Sequence, residues 1–268
     1  MRPAFALSAA LLALAAFSAL AQAPGKSVYL EELTWTEVRE ATKAGRTTII
    51  VPVGGTEQNG PHMALGKHNV RVRLLAGRIA ETLGNALVAP VIAYTPEGSA
   101  TTPTGHMRFP GTITVPETVF EQTLESAGRG FRMHGFLDVV FIGDHGGYQK
   151  SLKKAAETLN REWATTKVRA HAIEAYYQAA SVDFAEMMRA KGFAPAEVGK
   201  HAGAADTSLA LAADPNLVRT DRMKAPNMGQ ADGVDGDARR SSADLGRQGL
   251  DLIVAKTVDA IRKATARR

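Results

Sequence analysis

The sequence predicts an α/β domain in which helices cover both faces of a mostly parallel sheet. Two observations lead to this prediction. Strand-like and helix-like segments alternate along the whole chain, which is typical of a parallel sheet with crossover helices. The clearest strand-like segments, 47–53 and 137–143, are short, nearly all apolar and bounded by glycine. Such runs are expected of strands that are buried on both faces.

The elements follow in a regular order. Helices are predicted over 29–45, 69–84, 117–134, 150–163, 182–191 and 241–263, and strands over 47–53, 86–94, 137–143 and 168–176. Gly45 and Gly84 end the first two helices, and Thr34 or Thr36 is expected to cap the first. The segment 95–114 is rich in Gly, Pro, Thr and Ser, and loops of that length in compact domains are usually functional or mobile.

The N-terminus has the form of a secretory signal peptide. Arg2 precedes an apolar run over 4–21, and Ala19 and Ala21 supply the small residues of a cleavage site. We predict cleavage after Ala21, one mature domain over 22–268, and a periplasmic or secreted location without stable membrane association. An uncleaved anchor is the alternative, and the marginal length of the run disfavours it.

Composition excludes several classes of protein. The 268-residue chain has no cysteine, so it has neither disulfides nor a thiolate ligand or nucleophile. Its formal net charge of +5 is mild, and no basic stripe is interleaved with aromatic residues, so we expect no nucleic-acid partner. The glycines form no dinucleotide-binding or P-loop motif, and no serine lies in a nucleophile elbow.

Three polar loops follow three separate elements, at 57–68, 144–147 and 201–206. Parallel strands bring their carboxyl ends to one edge of the sheet, so these loops are expected to converge there. Their Glu, His and Asp side chains together suit zinc or a similar divalent ion. Each signal is weak alone, since a histidine in a turn is more often a surface residue, and Asp144 and Asp206 could instead cap helices or turns.

The combination of motifs is more specific. The motifs are Glu57-Gln-x-Gly-Pro-His62-x-x-Leu-Gly, Phe109-Pro-Gly-Thr-Ile113, Asp144-His-Gly-Gly147, His201-Ala-Gly-x-x-Asp-Thr-Ser208 and Gly233-Val-Asp-Gly-Asp237. In order and rough spacing they resemble the creatininase (creatinine amidohydrolase) family from about residue 30 to 260. The resemblance implies a three-layer α/β/α sandwich, metal-dependent hydrolysis of a C–N bond in a cyclic or linear amide, and a homo-oligomer, often a hexamer.

The resemblance carries over incompletely at the metal ligands. The family motif Glu-Gln-His-Gly-Pro-His-Leu-Pro-Leu-Gly-Thr-Asp provides a Glu, a first His and a final Asp that bridges two metals. Glu57 matches the first, whereas Asn59 and His68 replace the other two. His145 matches the histidine of the family's Asn-Gly-His-Gly-Gly motif, and Asp206 replaces a later family Glu.

These replacements predict one metal ion per chain. A neutral imidazole gives one lone pair to one metal, whereas a carboxylate can bridge two. We therefore expect Glu57, His68 and His145 to hold a single divalent ion, with zinc preferred over manganese and no second ion. His201 and Asp206 are the expected proton-transfer residues.

A small-molecule amide is the expected substrate, and three residues are expected to bind it: His106, Arg108 and Asn59. The sequence leaves two alternative functions open. One is a catalytically silent periplasmic binding protein on the same fold, and the other is a metal-independent hydrolase that uses Glu57 or Asp206 with His201.

Overall fold

The computed structural model describes residues 27–225 and 228–266, so the predicted signal peptide lies outside the described residues. Its strands are β1 (Thr48–Val53), β2 (Ala86–Val88), β3 (Asp138–Gly143) and β4 (Arg169–Ala172). They form one sheet in the order β2-β1-β3-β4, and every pair in it is parallel. The prediction of an α/β fold with a parallel sheet is therefore confirmed.

Ten α-helices lie in the described part of the chain. They are α1 (Trp35–Lys43), α2 (Lys67–Leu83), α3 (Glu117–Met133), α4 (Gln149–Glu162), α5 (Glu174–Gln178), α6 (Phe184–Ala190), α7 (Pro195–Val198), α8 (Ala204–Ala213), α9 (Thr220–Met223) and α10 (Ala243–Thr265). A π-helical turn, Ala179–Asp183, joins α5 to α6. None of the described helices is long and apolar enough to span a membrane.

The sheet has a separate core on each face, which gives three layers. Ile50, Val140 and Ile142 belong to one core, together with apolar residues of α2, α5, α6, α8 and α10. The alternate residues Ile49 and Val51 belong to the other core, with α3 and α4. Because strand side chains alternate between faces, an apolar run such as β1 supplies both cores at once. The three-layer α/β/α prediction is confirmed.

Local sequence sets several helix ends. Thr34 caps α1 in a capping box with Glu37, whose backbone N–H lies 3.4 Å from the Thr34 hydroxyl oxygen. Gly84 ends α2 in the left-handed conformation that glycine adopts at low cost, with φ of 79°. Both features follow the sequence prediction.

Two predicted strands are shorter than expected, and one helix starts earlier. The strand predicted over 86–94 ends at Val88, near Pro90, which has no N–H for a ladder bond. The strand predicted over 168–176 ends at Ala172, and α5 begins two residues later. Helix α2 begins at Lys67, so His68 lies in its first turn and not in the preceding loop.

Candidate metal centre and active site

The carboxyl-terminal edge of the sheet gathers four side chains that could share one metal ion. They are Glu57, Glu97, His106 and His145, and one ligand atom from each lies within 4.8 Å of the others. Glu57 follows β1, His145 follows β3, and Glu97 and His106 come from the long loop after β2. The Nε2 atoms of His106 and His145 lie 3.2 Å and 3.5 Å from Glu57 Oε2.

Two oxygens of this cluster are buried without a well-formed hydrogen bond, although His106 Nε2 and His145 Nε2 lie 3.2 Å and 3.5 Å from one of them. They are Oε2 of Glu57, in a side chain that is fully buried, and Oε2 of Glu97, in a side chain that is 3% exposed. A buried carboxylate oxygen without a partner is costly, and a bound cation would satisfy it. Two carboxylates and two imidazoles are also ligands that zinc and manganese accept. The residues present therefore fit a divalent metal ion.

The electrostatics of the four residues favour the same conclusion. Burial, and then the charge of Glu57, raises the pKa of Glu97 to about 8. Burial also acts on Glu57, but His68 and its other cationic neighbours outweigh it and hold the pKa of Glu57 well below its usual value. Burial lowers the pKa of His145 to about 4, and it also lowers the pKa of His106. Both rings are therefore neutral at pH 7. Neutral imidazoles have a lone pair available for a metal.

His68, which the sequence predicts to be a metal ligand, lies between two carboxylates. Its Nε2 lies 2.8 Å from Glu57 Oε1, and its Nδ1 lies 2.6 Å from Asp144 Oδ2. Both ring nitrogens thus face carboxylate oxygens, an arrangement that suits a doubly protonated imidazolium. Burial would lower the pKa of His68, but Glu57 and Asp144 outweigh it and raise the pKa. In that doubly protonated form the ring would have no lone pair to give to a metal.

Asp144 and Asp206 extend this contact into a buried charge network. Arg71 binds Asp144 Oδ2 through Nη2 at 2.7 Å and Asp206 Oδ1 through Nη1 at 2.8 Å. Lys67, which is 1% exposed, binds the other oxygen of Asp206. Tyr176 donates its hydroxyl to Asp144 Oδ1 at 2.6 Å. Asp144 is therefore a buried ion-pair partner and does not cap α4, whose N-cap is Tyr148.

The network explains why α2 begins with cations. Lys67 and His68 lie in its first turn, where the helix dipole disfavours positive charge. Three carboxylates, those of Glu57, Asp144 and Asp206, face the three cations Lys67, His68 and Arg71, and so offset that cost. The charges of these three carboxylates and three cations cancel. A divalent ion bound together with a deprotonated Glu97 would therefore leave the site with one net positive charge.

Gln58 fixes the two histidines on the other side of the cluster. Its Nε2 lies 3.0 Å from His106 Nδ1 and donates to the Gly233 carbonyl oxygen at 3.1 Å. His201 Nε2 donates to the backbone oxygen of Gln58 at 2.9 Å. This bond puts the His201 proton on Nε2 and leaves the lone pair on Nδ1, which lies 3.7 Å from Glu57 Oε1.

The remaining predicted site residues lie outside the group of four possible ligands. Asn59 is buried and braces the loop through bonds to the backbone oxygens of Glu57 and Ala64. Asp206 lines the cavity beside the cluster, but its oxygens accept from Lys67, Arg71 and the Ala202 N–H. Arg108 is exposed and lines a second cavity, which it shares with His106 and His201.

Sequence reasoning missed Glu97. The length and composition of its loop, 95–114, predict a functional segment, and within it the sequence points to His106 and Arg108 as substrate-binding residues. Glu97 belongs to none of the five motifs, and its value as a ligand depends on the fold of the loop. The one signal in the sequence for Glu97 as a metal ligand is that it places a carboxylate in a loop predicted to be functional.

A cavity of about 340 Å³ opens directly beside the cluster. Its wall includes His106, His145 and His201 of the site, together with Tyr177 and Lys200. A cavity of this size suits a small-molecule substrate.

Comparison with known proteins identifies the relatives of this chain. Residues 31–261 match the family model described as creatinine amidohydrolase. A creatinine amidohydrolase of Pseudomonas putida is 26% identical over 261 residues, covering 89% of this chain and 97% of that protein. A mycofactocin precursor peptide peptidase of Mycolicibacterium smegmatis is 29% identical over 187 residues, covering 67% of this chain and 63% of the relative.

Solved structures agree with the sequence relatives. A creatininase described as the Mn form has a TM-score of 0.75 at 26% identity and covers 90% of this chain and 100% of its own. A creatininase described as Zn-Zn type has a TM-score of 0.75 at 27% identity and covers 91% of this chain and 100% of its own.

The layered fold, the cluster of carboxylates and imidazoles at the edge of its sheet, and these relatives define a metal-dependent amidohydrolase. The family is equally clear, because the family model covers most of the chain. This protein belongs to the creatininase family.

Proposed function

We propose that this protein hydrolyses the C–N bond of a small amide with one divalent metal ion, held by Glu57, Glu97, His106 and His145. One observation carries the proposal. The two residues whose buried carboxylate oxygens have no hydrogen-bond partner, Glu57 and Glu97, both belong to the group of four possible ligands. The proposal replaces the ligand set expected from sequence, Glu57, His68 and His145, because both nitrogens of His68 are engaged by carboxylates.

The buried cations support a single ion. Lys67 and His68 both lie against Oε1, the second oxygen of the Glu57 carboxylate. A second divalent ion at that oxygen would stand beside two fixed positive charges and would be repelled by both. Zinc and manganese remain the proposed ions, since the four ligands suit both.

The residues around the ion divide the remaining tasks. A divalent ion in this position would supply Lewis-acid activation of water and of the amide carbonyl. His201 is positioned to accept a proton, because its Nδ1 lone pair faces the cluster. Burial, and then the charge of Lys67, lowers the pKa of His201 to about 3, so the ring is neutral at physiological pH. We assign Asp206 to holding Lys67 and Arg71, because those contacts occupy its oxygens.

Metal content and amide hydrolysis, measured together, test the proposal. We expect the purified chain 22–268 to bind one equivalent of zinc or manganese and to hydrolyse members of a panel of cyclic amides, formamides and short peptides. Chelation should abolish hydrolysis, and the same metal should restore it.

The two alternatives give different results in that assay. A chain that takes up no metal after incubation with zinc or manganese would contradict the proposal and favour the silent binding protein. Hydrolysis that survives chelation would instead favour metal-independent chemistry with His201.

We also propose that the protein is exported and forms homo-oligomers. The N-terminal signal-like run supports export, and the family resemblance supports a hexamer. Expression of the full chain with fractionation should recover a periplasmic or secreted product that begins at Gln22, and light scattering should give the mass of an oligomer. A full-length chain retained in the membrane fraction would indicate an uncleaved anchor.

A further inference from the structure

The cavity beside the metal cluster has more cationic than anionic side chains in its wall. Lys67, His68, Arg71 and Lys200 line it, against the carboxylates of Asp144 and Asp206. The first three cations are already paired with carboxylates. Lys200 has no ion-pair or hydrogen-bond partner for its ammonium group within the described residues. The surplus positive charge of the wall therefore belongs to Lys200.

The backbone holds Lys200 at this position. Its N–H donates to the Asp235 carbonyl oxygen at 2.8 Å, and the N–H of the adjacent His201 donates to the same oxygen at 3.1 Å. His201 and Asp235 also form an isolated antiparallel bridge. Lys200 is consequently fixed next to the proposed proton acceptor, while its side chain is free to reach a ligand.

Tyr177 provides a second donor in the same wall. Among the described residues its hydroxyl has no hydrogen-bond partner, and it lies over Gly146, where a Cβ would come within 2.5 Å of it. Gly146 directly follows the proposed ligand His145, so the hydroxyl lies beside the metal cluster. Burial, then the charges of Asp206 and Asp144, raises the pKa of Tyr177 and keeps the hydroxyl protonated.

The cavity wall thus includes one ammonium and one hydroxyl that have no protein partner among the described residues, and both are hydrogen-bond donors. A ligand that uses both must offer at least two acceptors and benefits from negative charge, which describes a carboxylate. Resting on the proposed amide hydrolysis, we propose that the substrate is an amide that carries a carboxylate a few bonds from the scissile C–N bond, and that Tyr177 and Lys200 bind this carboxylate.

Two pairs of amides that differ only in the charged group test the proposal on the metal-loaded protein. N-acetylglycine is compared with N-ethylacetamide, and glutaramic acid with pentanamide, so that a methyl group replaces the carboxylate in each neutral member. Affinity is measured by calorimetry and hydrolysis by release of the amine or ammonia. We expect the carboxylate member of at least one pair to be favoured about tenfold or more in affinity and in kcat/KM, as charge-assisted hydrogen bonds predict.

Variants separate binding by the cavity wall from binding by the metal. In Lys200→Met and in Tyr177→Phe, the ratios of affinity and of kcat/KM between the carboxylate amide and its neutral partner should fall towards one. The reason is a weaker affinity and a higher KM for the carboxylate amide. Lys191→Met and Tyr94→Phe, at exposed positions away from the cavity, should leave the ratio unchanged. A carboxylate preference that persists in Lys200→Met and Tyr177→Phe would come from the metal and would overturn the proposal, as would equal affinities in the parent.

The two readouts also distinguish this inference from the proposed function. Selective binding that is lost in the variants, without hydrolysis of any amide, would support the carboxylate site and contradict the amidohydrolase. Hydrolysis without carboxylate selectivity would support the amidohydrolase and contradict the carboxylate site.

Discussion

Glu97→Gln is expected to remove the bound metal and most of the hydrolytic activity. The amide keeps the shape of the side chain but loses the charge that complements the ion. Since the ion is worth several kcal/mol of transition-state stabilisation, we expect kcat/KM to fall roughly 10³-fold. His106→Gln should behave similarly, because one of its ring nitrogens belongs to the same group of ligand atoms. Metal retained after dialysis and initial rates on the best amide substrate are the measurements.

His68→Lys is the matched comparison for the ligand set. The substitution keeps a cation between Glu57 and Asp144 and removes the imidazole, so we expect the metal to be retained. Loss of the metal in His68→Lys together with full retention in Glu97→Gln would contradict the proposed ligands. It would restore the set expected from sequence, Glu57, His68 and His145.

Arg71→Met is expected to be the most destabilising substitution in the buried network. Arg71 is 3% exposed and binds Asp144 and Asp206 at once, and Asp144 is 2% exposed. Methionine has a similar reach but leaves a buried carboxylate without its strongest partner. Breaking a buried pair from one side costs about 3–5 kcal/mol, and we expect a loss of that size in the free energy of unfolding. Urea unfolding of the metal-free protein measures it without a contribution from metal binding.

Arg78→Met is the control on the same helix. Arg78 forms an ion pair with Asp251 at 2.6 Å, but its side chain is 37% exposed. Exposed pairs contribute about 0–1 kcal/mol, so this variant should unfold close to the parent. Equal losses in the two variants would mean that the network around Asp144 contributes no more than a surface ion pair.

The prediction of the fold succeeded because its signals are local. The apolar runs of β1 and β3, the capping threonine of α1 and the glycine at the end of α2 can each be recognised from a few neighbouring residues. The shortened β2 is also local in origin, since Pro90 lies within the predicted strand and has no N–H for a ladder bond. Parallel strands then bring Glu57 and His145 to one edge whatever the details of the loops.

The sequence by itself determined the parallel α/β fold, the family, and the segments from which a metal site would be built. Only the tertiary structure decided which groups each candidate ligand contacts. His68 is a chemically suitable ligand, but Asp144, 76 residues away, engages one of its nitrogens, and Arg71 in turn contacts Asp206, 135 residues away. Glu97 has no recognisable motif, yet the folded loop leaves one of its buried oxygens without a partner. The availability of a ligand depends on contacts between distant segments, and spacing along the chain does not encode those contacts.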